Sequence, residues 1–165
     1  MTNPGKMLLA AMLASLSLFG LRAETKADRV VVEKANRTLK LMQGEEIVRS
    51  YKIALGPQAK GHKQCHGDNR TPEGRYIIDS RNLNSRYHRA LHISYPNSAD
   101  VRAAKKRGCD PGGAIMIHGL PNGYGWIGRA HTALDWTQGC IAVTNEQIEE
   151  IWKLVPNGTP VEIKP

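Results

Sequence analysis

The chain has 165 residues, enough for one domain of ordinary size, and its formal net charge is +8 at pH 7. Aromatic residues make up only 5% of it, and its single Phe lies in the N-terminal stretch. Because bases need aromatic rings to stack on, we do not expect this protein to bind nucleic acid. The excess of positive charge is better suited to anionic wall or membrane material.

The N-terminus has the layout of a secretory signal peptide. A lysine precedes an apolar run over residues 7–21, which is shorter than the roughly 20 residues of a membrane span. We expect removal of residues 1–23 by cleavage after Ala23, with cleavage after Ala27 or a retained N-terminal anchor as alternatives. This predicts a single mature domain, 24–165, in the periplasm or cell envelope, with no stable membrane span.

The next segments predict a β-rich fold. Apolar positions in 30–32, 39–41 and 47–55 are separated by turn residues, which indicates a three-stranded meander. A polar stretch at 58–70 is expected to be a loop. Further strands are predicted at 75–79 and in the segment "SRYHRALHISYP", where alternation places His88 and His92 on one face.

Two helices and two strands are predicted in the remaining chain. A short helix is expected to begin at Ser98 as its N-cap and to stop at Gly108. The apolar run 114–117 is typical of a strand buried on both faces, and the Gly-rich stretch after His118 predicts a long functional loop. A capping box formed by Thr144 and Gln147 starts the strongest helix, and "TPVEIKP" ends the chain as a strand. The prediction is a mainly β fold with minor α content.

Three cysteines, Cys65, Cys109 and Cys140, leave an odd thiol in an oxidising compartment. One disulfide and one free thiol are expected, and three pairings are possible. At an ordinary pKa near 8.5, only about 3% of a thiol is ionised at pH 7, so a nucleophilic cysteine needs a base. His118 can take that proton, and backbone N–H groups at Gly139 can hold an oxyanion. A half-cystine at 140 and a hydrogen-bonded core histidine at 118 are the structural alternatives.

Four segments resemble the L,D-transpeptidase catalytic domain (the YkuD-type family): "TPEGRYIID", "IMIHG", "TQGCIAVTNEQIEEIW" and "NGTPVEI". The resemblance runs from about Arg29 to Ile163. It implies a β-sandwich-like domain of mixed sheets and a cysteine acyltransferase that acts on peptidoglycan stem peptides. It assigns the nucleophile to Cys140, the general base to His118, and oxyanion N–H groups to Gly139 and Cys140. No cofactor or metal is implied, and the acceptor is an amine of a second stem or of a wall-attached protein.

The sequence departs from the family pattern in two places. Gln138 replaces a His that precedes the Gly-Cys pair in many members, and Ala142 replaces an Arg that follows it. Recognition of the substrate carboxylate is therefore expected from an arginine elsewhere, with Arg81, Arg86 and Arg129 as candidates. The Asp-Trp-Thr-x-Gly-Cys phrase is similar to a subgroup that includes hydrolases. An amidase or L,D-carboxypeptidase that uses water at the same site is thus the first alternative.

Several other residues are assigned expected roles. Substrate contacts are expected from Thr137, Gln138, Arg129, His92 and Tyr87. His131 is interpreted as an exposed loop residue in preference to a second acid or a substrate contact. Asp135 is expected either to orient an imidazole or to cap the turn that carries Thr137.

Two rival functions remain from the residues alone. A zinc site could use His62, Cys65 and His66, but pairing of Cys65 with Cys109 accounts for that thiol without metal and leaves Cys140 free. The other rival is a noncatalytic wall-binding module in which Cys140 is structural.

Overall fold

The computed structural model describes residues 26–165. The predicted signal peptide, 1–23, lies outside this range. Ala27 lies inside it: its side chain is buried, and its N–H donates to the carbonyl of Leu154 at 2.9 Å. Ala27 therefore belongs to the folded domain. None of the helices within 26–165 is long and apolar enough to cross a bilayer.

The described chain is mainly β, as predicted, with eight strands in one mixed sheet. The strands are β1 (Arg29–Glu33), β2 (Thr38–Gln43), β3 (Glu46–Lys52), β4 (Gly74–Ser85), β5 (His88–Ile93), β6 (Met116–His118), β7 (Ile141–Ala142) and β8 (Pro160–Lys164). Their order is β3-β2-β1-β8-β4-β5-β6-β7. The β1–β8 and β6–β7 pairs are parallel and the others antiparallel. The predicted meander β1–β2–β3 is confirmed.

The sheet curls until its two ends meet. β4 pairs with β8 over Gly74–Ile77 and then with β5 from Ile78 onward, with register shifts that bend the strand. Beyond β3, Ala54 exchanges two backbone hydrogen bonds with Ala142 of β7, at 2.9 and 3.0 Å. This closure surrounds an apolar core and gives the single sheet its sandwich-like shape.

Two α-helices, α1 (Ser98–Arg107) and α2 (Asn145–Leu154), and a 3₁₀ segment, Gly125–Ala133, complete the fold. The capping box of Thr144 and Gln147 and the left-handed stop at Gly108 are confirmed. The prediction of Ser98 as the N-cap of α1 was wrong. The N-cap is Asn97, whose side chain accepts from the first-turn amides while Asp100 completes a capping box with it.

Three further predictions about the strands and loops need correction. β4 is twelve residues long, not five, and runs up to a two-residue turn at Arg86 and Tyr87. The strand predicted at 114–117 forms at Met116–His118. The predicted segment is not buried on both faces throughout, because Ala114 is exposed and Met116 is half-buried. The long Gly-rich loop is not structureless, because it contains the 3₁₀ segment.

Candidate active site

The parallel pair β6–β7 brings Cys140 and His118 close together. His118 ends β6 and lies opposite Ala142, and Cys140 directly precedes the first residue of β7. The two side chains also line one cavity of about 630 Å³, here called the Cys140 cavity.

The ring of His118 is held in one tautomer. Its Nδ1 lies 2.7 Å from the carbonyl oxygen of Gly119, and a carbonyl can only accept, so Nδ1 carries the proton. In the neutral ring, Nε2 then keeps a free lone pair. Burial lowers the pKa of His118 to about 4. Nearby His131 lowers it further, and the hydrogen bond to Gly119 partly opposes both effects. At neutral pH the residue is therefore an uncharged base.

The thiol of Cys140 is half-buried and also uncharged at rest. Its Sγ donates to the carbonyl of Ala114 at 3.4 Å. Burial raises the pKa of the Cys140 thiol, and the backbone of Met116 and the charge of Lys63 partly oppose this. Because the thiol pKa is raised and the imidazole pKa is lowered, the pair rests as thiol and imidazole.

The backbone that carries Cys140 is fixed from behind. Gly139 has φ +112°, and a Cβ there would collide with the carbonyl oxygen of Arg70. The hydroxyl of Thr71 donates to the carbonyl of Gly139 at 2.9 Å, and the carbonyl of Thr71 accepts from the ammonium of Lys34 at 3.0 Å. Lys34 is 2% exposed and also pairs with Glu73 at 2.8 Å. A buried ion pair thus supports the loop that carries Cys140.

Thr137 closes the same turn from inside. Its hydroxyl donates to the carbonyl of Cys140 at 2.7 Å and accepts from the N–H of Gly139 at 3.2 Å. Thr137 is buried, so its hydroxyl acts within the turn. The N–H of Gly139, assigned to the oxyanion from sequence, is engaged by Thr137 and would exchange that bond to serve a substrate.

The rim of the Cys140 cavity comes from the β4–β5 hairpin. Its turn residues Arg86 and Tyr87 line the cavity, and the Tyr87 ring lies 4.5 Å from that of His118. Trp136 lines the same cavity, with its ring 5.8 Å from His118. The exposed Gln138 lines it beside Cys140. Of the predicted contacts, Tyr87, Thr137 and Gln138 are thus brought together here.

Other sequence-predicted residues lie outside this cavity. His92 pairs with Asp79 at 2.6 Å and does not line the cavity. Arg129 lines a separate cavity. Arg81 lies over the ring of Trp152 and donates to its carbonyl. His131 is 7% exposed, so its interpretation as an exposed loop residue was wrong.

Asp135 has a role that neither sequence interpretation named. Its carboxylate takes two hydrogen bonds from the Nε of Arg37, one from Nη2 at 2.6 Å, and one from the N–H of Leu55 at 3.0 Å. It therefore ties the Asp-Trp-Thr segment to the turn between β1 and β2 and to the chain after β3. Its hydrogen-bond partners are Arg37 and Leu55, not an imidazole. Arg37, Lys34 and Thr71 were missed because no local signal links them to a loop about 70 to 100 residues away.

The remaining cysteines and the zinc candidates are engaged elsewhere. Cys65 and Cys109 form a disulfide, which leaves Cys140 as the free cysteine. His62 contacts Asp100 at 3.2 Å. Within residues 26–165, no group of three metal-ligating side chains is close enough to hold an ion.

Fold and cavity together define a mainly β domain in which a free thiol and a neutral histidine share one cavity. A family model for the L,D-transpeptidase catalytic domain, YkuD, matches residues 27–163. The chain belongs to this family of enzyme domains, whose function is related to peptidoglycan.

Individual relatives agree with this assignment. YafK of Escherichia coli (strain K12), named as an L,D-transpeptidase, is 34% identical over 133 residues, which cover 76% of this chain and 46% of YafK. YkuD of Bacillus licheniformis, named likewise, is 29% identical over 92% of this chain and 74% of its own length. This chain thus spans about half the length of YafK.

Solved structures share the fold. The helical cell shape determining protein Pgp2 from Campylobacter jejuni superimposes with a TM-score of 0.64 at 28% identity, covering 83% of this chain and 48% of Pgp2. An L,D-transpeptidase from Mycobacterium smegmatis has a TM-score of 0.55 at 13% identity, over 83% of this chain and 58% of its own. The latter supports the fold alone.

Proposed function

We propose that this protein is an exported cysteine acyltransferase that performs L,D-transpeptidation on peptidoglycan stem peptides. The observation that carries the proposal is the bond from Nδ1 of His118 to Gly119, because it leaves Nε2 free to accept the thiol proton of Cys140 in their shared cavity. Family membership supports the substrate class. The signal-like N-terminus supports an address in the periplasm or cell envelope.

The reaction divides into two acyl transfers. The Sγ of Cys140 attacks the carbonyl carbon of the bond that joins an L-centre to the terminal D-residue, while Nε2 of His118 takes the thiol proton. The tetrahedral intermediate collapses to a thioester, and the leaving amine takes that proton from His118. A second amine then attacks the thioester, gives a proton to His118, and forms the new amide. The proton returns to the sulfur as Cys140 leaves.

Arg86 is proposed to bind the substrate's carboxylate. Of the three arginines considered from sequence, it is the one that lines the Cys140 cavity, and within residues 26–165 its side chain has no recorded ion-pair partner. A guanidinium can hold a carboxylate through two parallel hydrogen bonds. It lies on the hairpin turn that forms the rim of this cavity.

The acceptor is tested with purified sacculi. The protein and its Cys140→Ala variant are incubated with sacculi, and the muropeptides are identified by mass spectrometry. New cross-links made only by the wild type indicate a transferase, and shortened stems or released protein indicate the hydrolytic alternative. Unchanged muropeptides with folded wild-type protein would contradict the proposal. Arg102→Gln, an exposed change on α1, is the matched control.

Labelling with iodoacetamide separates the enzyme from a noncatalytic wall-binding module. Under non-reducing conditions we expect alkylation at Cys140 alone, because the other two cysteines are bonded to each other. Alkylation that abolishes sacculus processing supports a nucleophile. Processing that survives complete alkylation would remove Cys140 from the reaction.

A further inference from the structure

A second cavity, of about 290 Å³, lies at the start of α2 and has no lining residue in common with the Cys140 cavity. We call it the His131 pocket. Its walls come from three parts of the fold: Ser50 and Lys52 of β3, Arg129 and His131 of the 3₁₀ segment, and the cap residue Thr144. Nothing in the acyl-transfer chemistry uses it.

His131 is an unusual lining residue, because its polar atoms have no hydrogen-bond partner among the described residues. The residue is 7% exposed, and both ring nitrogens are buried without a hydrogen-bond partner among the described residues. Burial also lowers its pKa. An unsatisfied buried polar group costs about 1–3 kcal/mol, so buried polar groups in native structures nearly always have a partner. A ligand that accepts a hydrogen bond from the ring would supply the missing one.

The charges around the pocket select the ligand's sign. Lys52 and Arg129 are cations, and no lining residue is acidic. The ammonium of Lys52 makes one bond, to the carbonyl of Asn36 at 3.1 Å. Within residues 26–165, the guanidinium of Arg129 makes no hydrogen bond or ion pair. The hydroxyl of Ser50 adds a neutral donor. Cations and hydroxyls without a carboxylate favour an anion.

The amides at the start of α2 contribute little to this selection. The N–H of Gln147 donates to Thr144 and the side chain of Gln147 accepts from the N–H of Thr144. The carboxylate of Glu146, the acidic residue nearest this turn in sequence, interacts with its own backbone N–H and with Thr144. The side chains, rather than the helix end, therefore determine what binds here.

We propose that the His131 pocket binds a small oxyanionic group, a carboxylate or a phosphate. Arg129 would bind two oxygens through its planar guanidinium, and Lys52 would neutralise the remaining charge. The ring nitrogens of His131 are closed to solvent in this structure, so His131 would donate one ring N–H after a small turn of its ring toward the ligand. The inference stands apart from the proposed acyl transfer, because it uses neither Cys140 nor His118.

The test follows the histidine ring nitrogens by ¹⁵N NMR. Inorganic phosphate, and separately N-acetyl-D-alanine, is titrated into the protein at constant ionic strength and pH. We expect a saturable shift of the His131 nitrogens, with a Kd in the millimolar range. The probe that binds more tightly distinguishes a phosphate source from a peptide carboxylate.

Variants locate the binding. Arg129→Gln and Lys52→Gln should each raise the Kd about tenfold, because each removes a charge-assisted contact. The control Arg102→Gln removes the same charge from an exposed position on α1 and should leave the Kd unchanged. The proposal is overturned if neither probe gives a saturable shift up to about 100 mM, or if the two pocket variants bind as tightly as the control.

Discussion

The Cys140 cavity and the His131 pocket each contain a buried histidine, and both histidine rings lie near the ring of Trp136. This ring lies 5.8 Å from His118 and 6.4 Å from His131. Both histidines are buried, and burial lowers the pKa of both. They differ in their hydrogen bonds: Nδ1 of His118 donates to Gly119, whereas neither nitrogen of His131 has a partner among the described residues.

In the two functions proposed above, this difference separates a histidine that acts as a base from a histidine that contributes to a binding site. When one nitrogen of a buried imidazole is committed as a donor, the other is left as an oriented acceptor that is ready to take a proton. When neither ring nitrogen has a hydrogen-bond partner, no hydrogen bond selects one tautomer of the ring. The walls differ in the same way, because the loop of Cys140 is held by internal bonds while Arg129 of the other pocket is unpaired.

The largest effect should follow from removing the base. His118→Gln keeps a polar side chain but cannot accept and return the thiol proton, so kcat/KM on a soluble stem-peptide substrate should fall about 10²–10⁴-fold. The exposed His66→Gln is the control with unchanged activity, and His131→Gln should lose less than His118→Gln. Equal losses at 118 and 131 would erase the distinction between the two histidines.

The second effect concerns the support behind Cys140. Lys34→Met removes the charge of a buried pair and leaves Glu73 and two carbonyls without their donor, so the free energy of unfolding should drop about 3–5 kcal/mol. Lys40→Met breaks the more exposed pair with Glu33 and should cost about 1 kcal/mol or less. Urea unfolding measures both. Similar losses for the two variants would mean that the buried pair does not hold the loop.

A smaller effect is expected at the rim. Arg86→Gln should raise KM about tenfold while kcat changes less, because the lost contact is to the substrate carboxylate and is present before the chemical step. Amidation of that carboxylate should have the same effect on the wild type and none further on the variant. A variant that still discriminates between the acid and the amide would show that another group reads the charge.

The smallest effect is on the pH profile. Only neutral His118 can accept the thiol proton, and its pKa is about 4, so kcat/KM should stay nearly constant from pH 7 to 5 and fall only near pH 4. An acidic limb near pH 6.5, the ordinary value for His, would contradict the tautomer and burial argument.

The same shift predicts how stability depends on pH. The unfolded chain protonates His118 near pH 6.5, whereas the folded protein resists protonation down to about pH 4. Between these values the unfolded state binds the extra proton, so the free energy of unfolding should decline as the pH falls. Urea midpoints at pH 7, 6 and 5 measure the slope, and His118→Phe should reduce it. A midpoint that does not move between pH 7 and 5 would contradict this.

Residues that act locally were predictable from the sequence. The capping box at Thr144, the stop at Gly108 and the meander β1–β2–β3 depend on spacings of a few residues. Residue chemistry suggested Cys140 and His118 as a nucleophile and base, and the family resemblance favoured this interpretation over the structural alternatives. The hydrogen bonds from Lys34 to Thr71 and from Thr71 to Gly139 could not be predicted, because they join positions far apart in the chain.

By itself, the sequence determined that the fold is mainly β, and it indicated Cys140 and His118 as the pair to examine. These follow from alternation, turn residues and residue chemistry, which are local properties. Only the tertiary structure decided that Asp135 binds Arg37, that His131 is buried without a partner, and that Arg86 reaches the cavity. Those outcomes depend on how a curled sheet brings distant strands and turns together, and no short stretch of sequence records that geometry.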